Sequence, residues 1–194
     1  FERARWIGLA LDGTGAAAGV AHRCALCHPV VGADGPTGSH LHHLSLISVV
    51  GAGLSLPFDV EPYGPGDCEL HASARLFERA LGQLGRRFAD YVVVDGLYAQ
   101  APFLHRVGGH GLRVVARLKD NLPTLMNAAR QRFESTAPHH TFEIGADRVE
   151  LWDADDFDPW ETLRWDTVRV LRYRQTRPDG TICEAYWLTD WSTA

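Results

Sequence analysis

One change of period in the middle of the chain constrains its fold more than any other feature. Leu70, Ala74, Phe77, Leu81 and Leu84 recur at steps of four and three within "CELHASARLFERALGQLG". That spacing predicts a helix with a single apolar face, N-capped at Asp67 and stopped at Gly85. The apolar run Tyr91–Val94, "YVVV", follows and ends at Asp95-Gly96. A continuous run of that length reads as a buried strand. A short helical stretch, "APFLHRVGG", and a further strand, Arg113–Leu118, come next. Strand, helix, strand in succession implies parallel strands joined by crossover helices in an α/β sheet.

The segment before the helix has a different texture. Trp6–Leu11, "WIGLAL", is an apolar run closing at Asp12-Gly13-Thr14. Val20–Val31 alternates loosely between glycines, and His42–Leu54 follows the breaker-rich loop "GADGPTG". The three read as an antiparallel meander. From about Thr141 to Trp191 the chain again carries strand-like segments, with a turn at Pro178-Asp179-Gly180 and no helical period between them. The expectation is an α/β core over residues 1–135 with three antiparallel strands followed by parallel ones, and a β-rich module over 136–194.

Asp12 and Asp95 each follow an apolar run and precede glycine. A carboxylate at the end of a buried strand is costly unless something compensates it, and a divalent cation does so. With the first and fourth strands side by side, the two carboxylates would converge. Asp-Gly is also an ordinary turn dipeptide, which is the competing explanation for either one alone.

The wording "ALDGTG", "EPYGPGDCELHASARLFERAL", "YVVVDGLYAQAPFL" and "RVVARLKDNLP" resembles the insertion-sequence transposases with a DDE catalytic triad, whose catalytic core is ribonuclease-H-like. The resemblance spans nearly the whole chain and is strongest from Trp6 to Pro123. It implies phosphoryl transfer on DNA, cleavage and joining at the terminal inverted repeats of a mobile element, by a bacterial cytoplasmic protein acting at the nucleoid as a homodimer. Three carboxylates would hold two Mg²⁺ or Mn²⁺ ions, with Asp12 bridging both and Asp95 holding one. Arg117 and Lys119 are the implied contacts to the DNA backbone. The family's third carboxylate, a glutamate, sits on a helix after the β-rich module, and no acidic residue up to Ala194 matches its signature. Asp190 reads as a turn residue and Glu69 as a supporting group at most. A chain that opens at Phe1 and has Met126 as its only methionine reads as a fragment, inactive as it stands. A non-catalytic remnant that binds DNA or a partner is the alternative.

Composition bears on these readings at three points. The net charge of −5 runs against a DNA-binding surface, although an acidic catalytic pocket pushes the same way. Only Lys119 among 19 basic residues is lysine, a bias that suits a GC-rich genome, and Arg86 and Arg87 read as solvated helix-end charges. No apolar run is long enough for a membrane span. Cys24, Cys27 and His28 stand in the Cys-x-x-Cys-His order that attaches haem c, but haem attachment needs an exported chain, and no secretory signal opens this one. A strand over Val20–Val31 would send the two cysteines to opposite faces, which predicts neither haem nor zinc. The rival is a zinc-binding module drawing on Cys24 and Cys27 with His40, His42 or His43. "DADDFDPWE" reads as a solvated acidic loop, and Trp152, Trp160, Trp165, Trp187 and Trp191 as the bulky core of the β-rich module.

Overall fold

The computed structural model describes residues 6–20, 24–51, 53–85 and 87–192. The chain divides into two compact units, Phe1–Val93 and Val94–Ala194. It is a mixed α/β protein whose strands pair mostly in antiparallel fashion.

The first unit is built on β1 (Gly8–Gly19), β2 (Cys27–Gly32), β3 (Gly35–Gly51), β4 (Leu54–Tyr63), α1 (Glu69–Leu84) and β5 (Tyr91–Val94), the last residue of which opens the second unit. The central element is β3, 17 residues long. Along one edge it pairs with β1, and along the other with β2 through its first half and β4 through its second. On its other side β1 neighbours β5. Asp90 clamps the start of this pair, its carboxylate accepting the Ile7 N–H at 2.8 Å while its own N–H donates to Ile7 O.

The first-unit core lies between this sheet and α1. Leu9, Leu11 and Ile47 face Ala72, Leu76, Phe77 and Ala80, all at or near zero exposure. Burying side chains of this size supplies about 1.5–3 kcal/mol each before the entropic cost of ordering is counted. A buried polar tie joins the layers, Ser45 of β3 to Ser73 of α1 at 2.5 Å. On the outer edge Arg79 donates to Asp59 (2.7 Å), Glu61 (2.6 Å) and the Val60 carbonyl (2.8 Å), and Arg75 reaches Glu61 and Asp67. These arginines hold the Asp59, Glu61 and Asp67 carboxyls below the usual carboxylate range.

The second unit contains a 3₁₀ turn (Gly96–Tyr98), α2 (Ala101–Gly109), β6 (Arg113–Leu118), α3 (Pro123–Glu134), β7 (His140–Ile144), β8 (Asp147–Phe157), β9 (Val168–Thr176) and β10 (Ile182–Thr189). Its strands run in the order β6-β10-β9-β8-β7. Arg172 is the polar centre of this module. It is 6 % exposed, bonds Glu184 through Nε and Nη2 at 2.8 and 2.6 Å, and lies 4.5 Å over the Trp152 ring. Asp190 follows β10 and accepts the Val114 N–H at 2.9 Å, a structural role.

Several expectations need correcting. The first strand does not end at Asp12 but runs on to Gly19, because Asp12-Gly13 pairs with Leu46 and Ser45 in an unbroken antiparallel register instead of turning. Cys24 precedes β2, and Cys24–Cys27 is a turn closed by Cys27 N–H to Cys24 O at 3.1 Å, so the two cysteines are not split across a strand. Ala21, His22 and Arg23, included in that expected strand, and Arg86 lie outside the described residues. The third strand begins at Gly35, within the expected loop, and a further strand, β4, follows it where the sequence pattern predicts none. The N-cap of α1 is Cys68, with Asp67 accepting the Cys68 N–H at 2.8 Å instead of capping the helix. Asp153–Phe157 of the expected acidic loop is the end of β8. Trp152 is buried, whereas Trp160, Trp165, Trp187 and Trp191 are half-buried.

Candidate active site and a cysteine-histidine cluster

Asp12 is carried by β1, five residues into the strand, and its side chain is exposed. Alternation along β1 turns Leu9, Leu11 and Gly13 toward α1 and Asp12 to the opposite face. Its Oδ1 accepts the N–H of Gly13 at 2.9 Å, a local contact that leaves the other oxygen available. Glu69, from the first turn of α1, lies on the α1 side. A Cβ added to Gly13 would come within 2.0 Å of its Oε2, so a larger residue there would make the glutamate side chain shift. Glu69 is thereby kept off the face that Asp12 occupies.

Asp95 heads the second unit and caps its 3₁₀ turn. One carboxylate oxygen accepts the Leu97 N–H at 2.7 Å, and the other takes the Lys119 ammonium at 3.0 Å. The pair is open to solvent, with 40 % of the Asp95 side chain and 54 % of the Lys119 side chain exposed. Asn121 closes the surround by donating to Gly96 O at 2.8 Å. Lys119 lies beyond the end of β6 and Asn121 in the loop before α3, so two separate elements orient the groups around Asp95. Sequence reasoning singled out Lys119 but not Asn121, whose only signal was its closeness to Lys119 in the chain.

Arg117 is engaged within the protein. Its guanidinium stacks 4.8 Å from the centroid of Trp187, its cross-strand partner in β10, and donates to Glu184 O at 3.3 Å. Between the two basic residues, Lys119 is the more exposed.

A second constellation lies wholly in the first unit. The sulfurs of Cys24 and Cys27 are 3.6 Å apart, and His42 Nε2 is 3.2 Å from the first and 3.1 Å from the second. The register of β2 with β3 places Cys27 directly opposite His42. The remaining histidines divide differently. His28 donates its Nε2–H to Tyr63 O at 3.1 Å. His43 packs edge-on to His28 and stacks on Tyr63. His40 Nδ1 is buried without a hydrogen-bond partner among the described residues. Backbone N–H donation from Leu26, and the neighbouring Cys27, lower the Cys24 pKa.

Two carboxylates in exposed positions offer hard oxygen donors suited to Mg²⁺ or Mn²⁺, whereas the two thiols and one imidazole suit a softer ion. Among solved structures, the chain is similar to a piggyBac transposase in a synaptic complex with hairpin DNA, at 12% identity and a TM-score of 0.48. The match covers 96% of this chain and 34% of that one, so the chain spans about a third of that transposase's length. No family model matches the chain, and no curated protein does.

Proposed function

We propose that the chain is the catalytic region of a DDE-type DNA transposase of the insertion-sequence kind, built on a ribonuclease-H-like core with a β-rich insertion. The observation that carries the reading is the placement of the two acidic residues. β1 and β5 are neighbours, Asp12 is exposed on β1, and Asp95 is the first residue after β5. Those are the two positions at which the resemblance expects its first two carboxylates.

Asp12 and Asp95 would hold divalent magnesium or manganese, which when bound activates a water or a 3′-hydroxyl and stabilises the leaving oxygen of an in-line displacement at phosphorus. The protein's own contributions are distinct. The Leu97 N–H fixes the rotamer of Asp95 by holding one oxygen, so the other is directed outward. Lys119 balances that oxygen's charge in the free protein and is free to swing toward a DNA phosphate once a metal takes its place. Asn121 fixes the backbone of the Asp95-Gly96 turn. Two carboxylates leave most of a metal's coordination shell to water, so the reading requires a third carboxylate from a helix beyond the β-rich module. Glu69 is unsuited to that role because strand alternation separates it from Asp12.

The test is metal-dependent nicking of DNA carrying the ends of the mobile element, by the protein expressed from its full reading frame. Asp12→Asn and Asp95→Asn should each abolish nicking while leaving the circular dichroism spectrum unchanged, since asparagine keeps the volume and loses the charge. Normal nicking by Asp95→Asn would show the carboxylate to be wrongly assigned.

A further inference from the structure

The turn ahead of β2 takes no part in phosphoryl transfer as proposed above, yet it is built in detail. Cys24 N–H points at Cys27 Sγ (3.2 Å) and Leu26 N–H at Cys24 Sγ (3.4 Å), so the backbone of the turn offers donors to both sulfurs. Such donors stabilise sulfur when it carries negative charge. The turn is seated against the loop after β4, where a Cβ on Gly64 would lie 2.9 Å from Ala25 O. The two cysteines form no disulfide, their 3.6 Å separation being far from the roughly 2.05 Å of an S–S bond.

The three donor atoms have the mutual spacing of a metal shell. Zn–S bonds of about 2.3 Å and Zn–N bonds of about 2.0 Å at tetrahedral angles require sulfurs about 3.8 Å apart and sulfur–nitrogen separations of about 3.5 Å. The observed separations are 3.6, 3.2 and 3.1 Å, within a few tenths of an ångström of that shell. We propose that Cys24, Cys27 and His42 form a zinc site that ties the turn before β2 to the centre of β3. Two thiolates and an imidazole select a borderline-soft ion over magnesium. Cys24 is exposed, so a water completes the fourth position from the solvent side. The site is structural in purpose: the turn adds no buried large apolar side chain to the core, and the ion supplies the cross-link instead.

Zinc content of the purified full-length protein, measured by elemental mass spectrometry after gel filtration, tests this. About one zinc per chain is expected. It should be lost in Cys24→Ser/Cys27→Ser and in His42→Ala, and kept in Cys68→Ser/Cys183→Ser, which removes the thiol of the other candidate cluster, Asp67, Cys68 and His71. Should the ligand variants fail to fold, cobalt loading of the unaltered protein gives a second readout, a thiolate-to-cobalt charge-transfer band that zinc abolishes. Zinc retained by Cys24→Ser/Cys27→Ser, or unaltered protein that neither carries zinc nor shows the cobalt band, would overturn the proposal.

Discussion

Removing one hydroxyl from the buried Ser45–Ser73 pair should cost more stability than removing both. Both side chains have zero exposure, and their oxygens are 2.5 Å apart across the interface between β3 and α1. In Ser73→Ala the Ser45 hydroxyl stays buried and faces a methyl group where its partner stood. An orphaned buried hydroxyl costs about 1–3 kcal/mol, whereas a matched pair traded for two apolar groups is close to neutral. We therefore expect Ser73→Ala to lose about 2 kcal/mol, the double variant Ser45→Ala/Ser73→Ala to lose under about 1 kcal/mol, and the pair to couple by at least about 1 kcal/mol. For a chain of this size, a 2 kcal/mol loss lowers the melting temperature by about 4–8 °C. Urea unfolding followed by tryptophan fluorescence and far-ultraviolet circular dichroism measures all four corners of the cycle. Strictly additive losses would mean that each serine is satisfied independently and that the contact does not hold α1 to the sheet.

Arg79→Met should destabilise the first unit by about 1 kcal/mol at neutral pH, the pair energies being discounted because the arginine side chain is 38% exposed. Since Arg79 depresses the Asp59 and Glu61 pKa values, its contribution is complete above the ordinary carboxylate range and fades as pH falls through the depressed values. A variant whose deficit persists unchanged at pH 2 would refute the ion-pair explanation. Arg172→Lys should destabilise the second unit by about 2–4 kcal/mol, because an ammonium cannot keep both contacts to Glu184 and the stacking on Trp152; thermal melting that matches the unaltered protein would argue against it. Lys119→Met should tighten Mn²⁺ binding up to about fivefold in calorimetric titration by releasing the Asp95 oxygen from an exposed ion pair, and weaker binding would count against a metal role for that oxygen. Gly64→Ala should weaken zinc retention in a chelator competition by displacing the turn at Ala25, and unaltered retention would show that the seat of the turn is irrelevant to the site.

Local pattern by itself determined the elements whose period is unambiguous. The apolar spacing of Leu70 to Leu84 defined α1 with Gly85 as its stop, and the runs Tyr91–Val94 and Arg113–Leu118 became β5 and β6 with the expected bounds. Those segments carry their own signal because one face or both must be buried whatever the partners are. Tertiary structure decided the rest. Asp12-Gly13 has the composition of a turn, but pairing with Leu46 and Ser45 gives its backbone groups partners in a ladder, and a ladder outweighs the local preference. β4 carries Pro57 and Pro62 and alternates poorly, so its signal is weak until β3 offers it an edge. The cysteine turn shows the limit most clearly. Its Cys-x-x-Cys spacing was plain in the sequence, but His42 lies 15 residues beyond Cys27, and only the register of β2 on β3 decides which of the neighbouring histidines meets the sulfurs. Side chains one residue apart on a strand point to opposite faces, so that register selects His42 and sends His43 to Tyr63 instead.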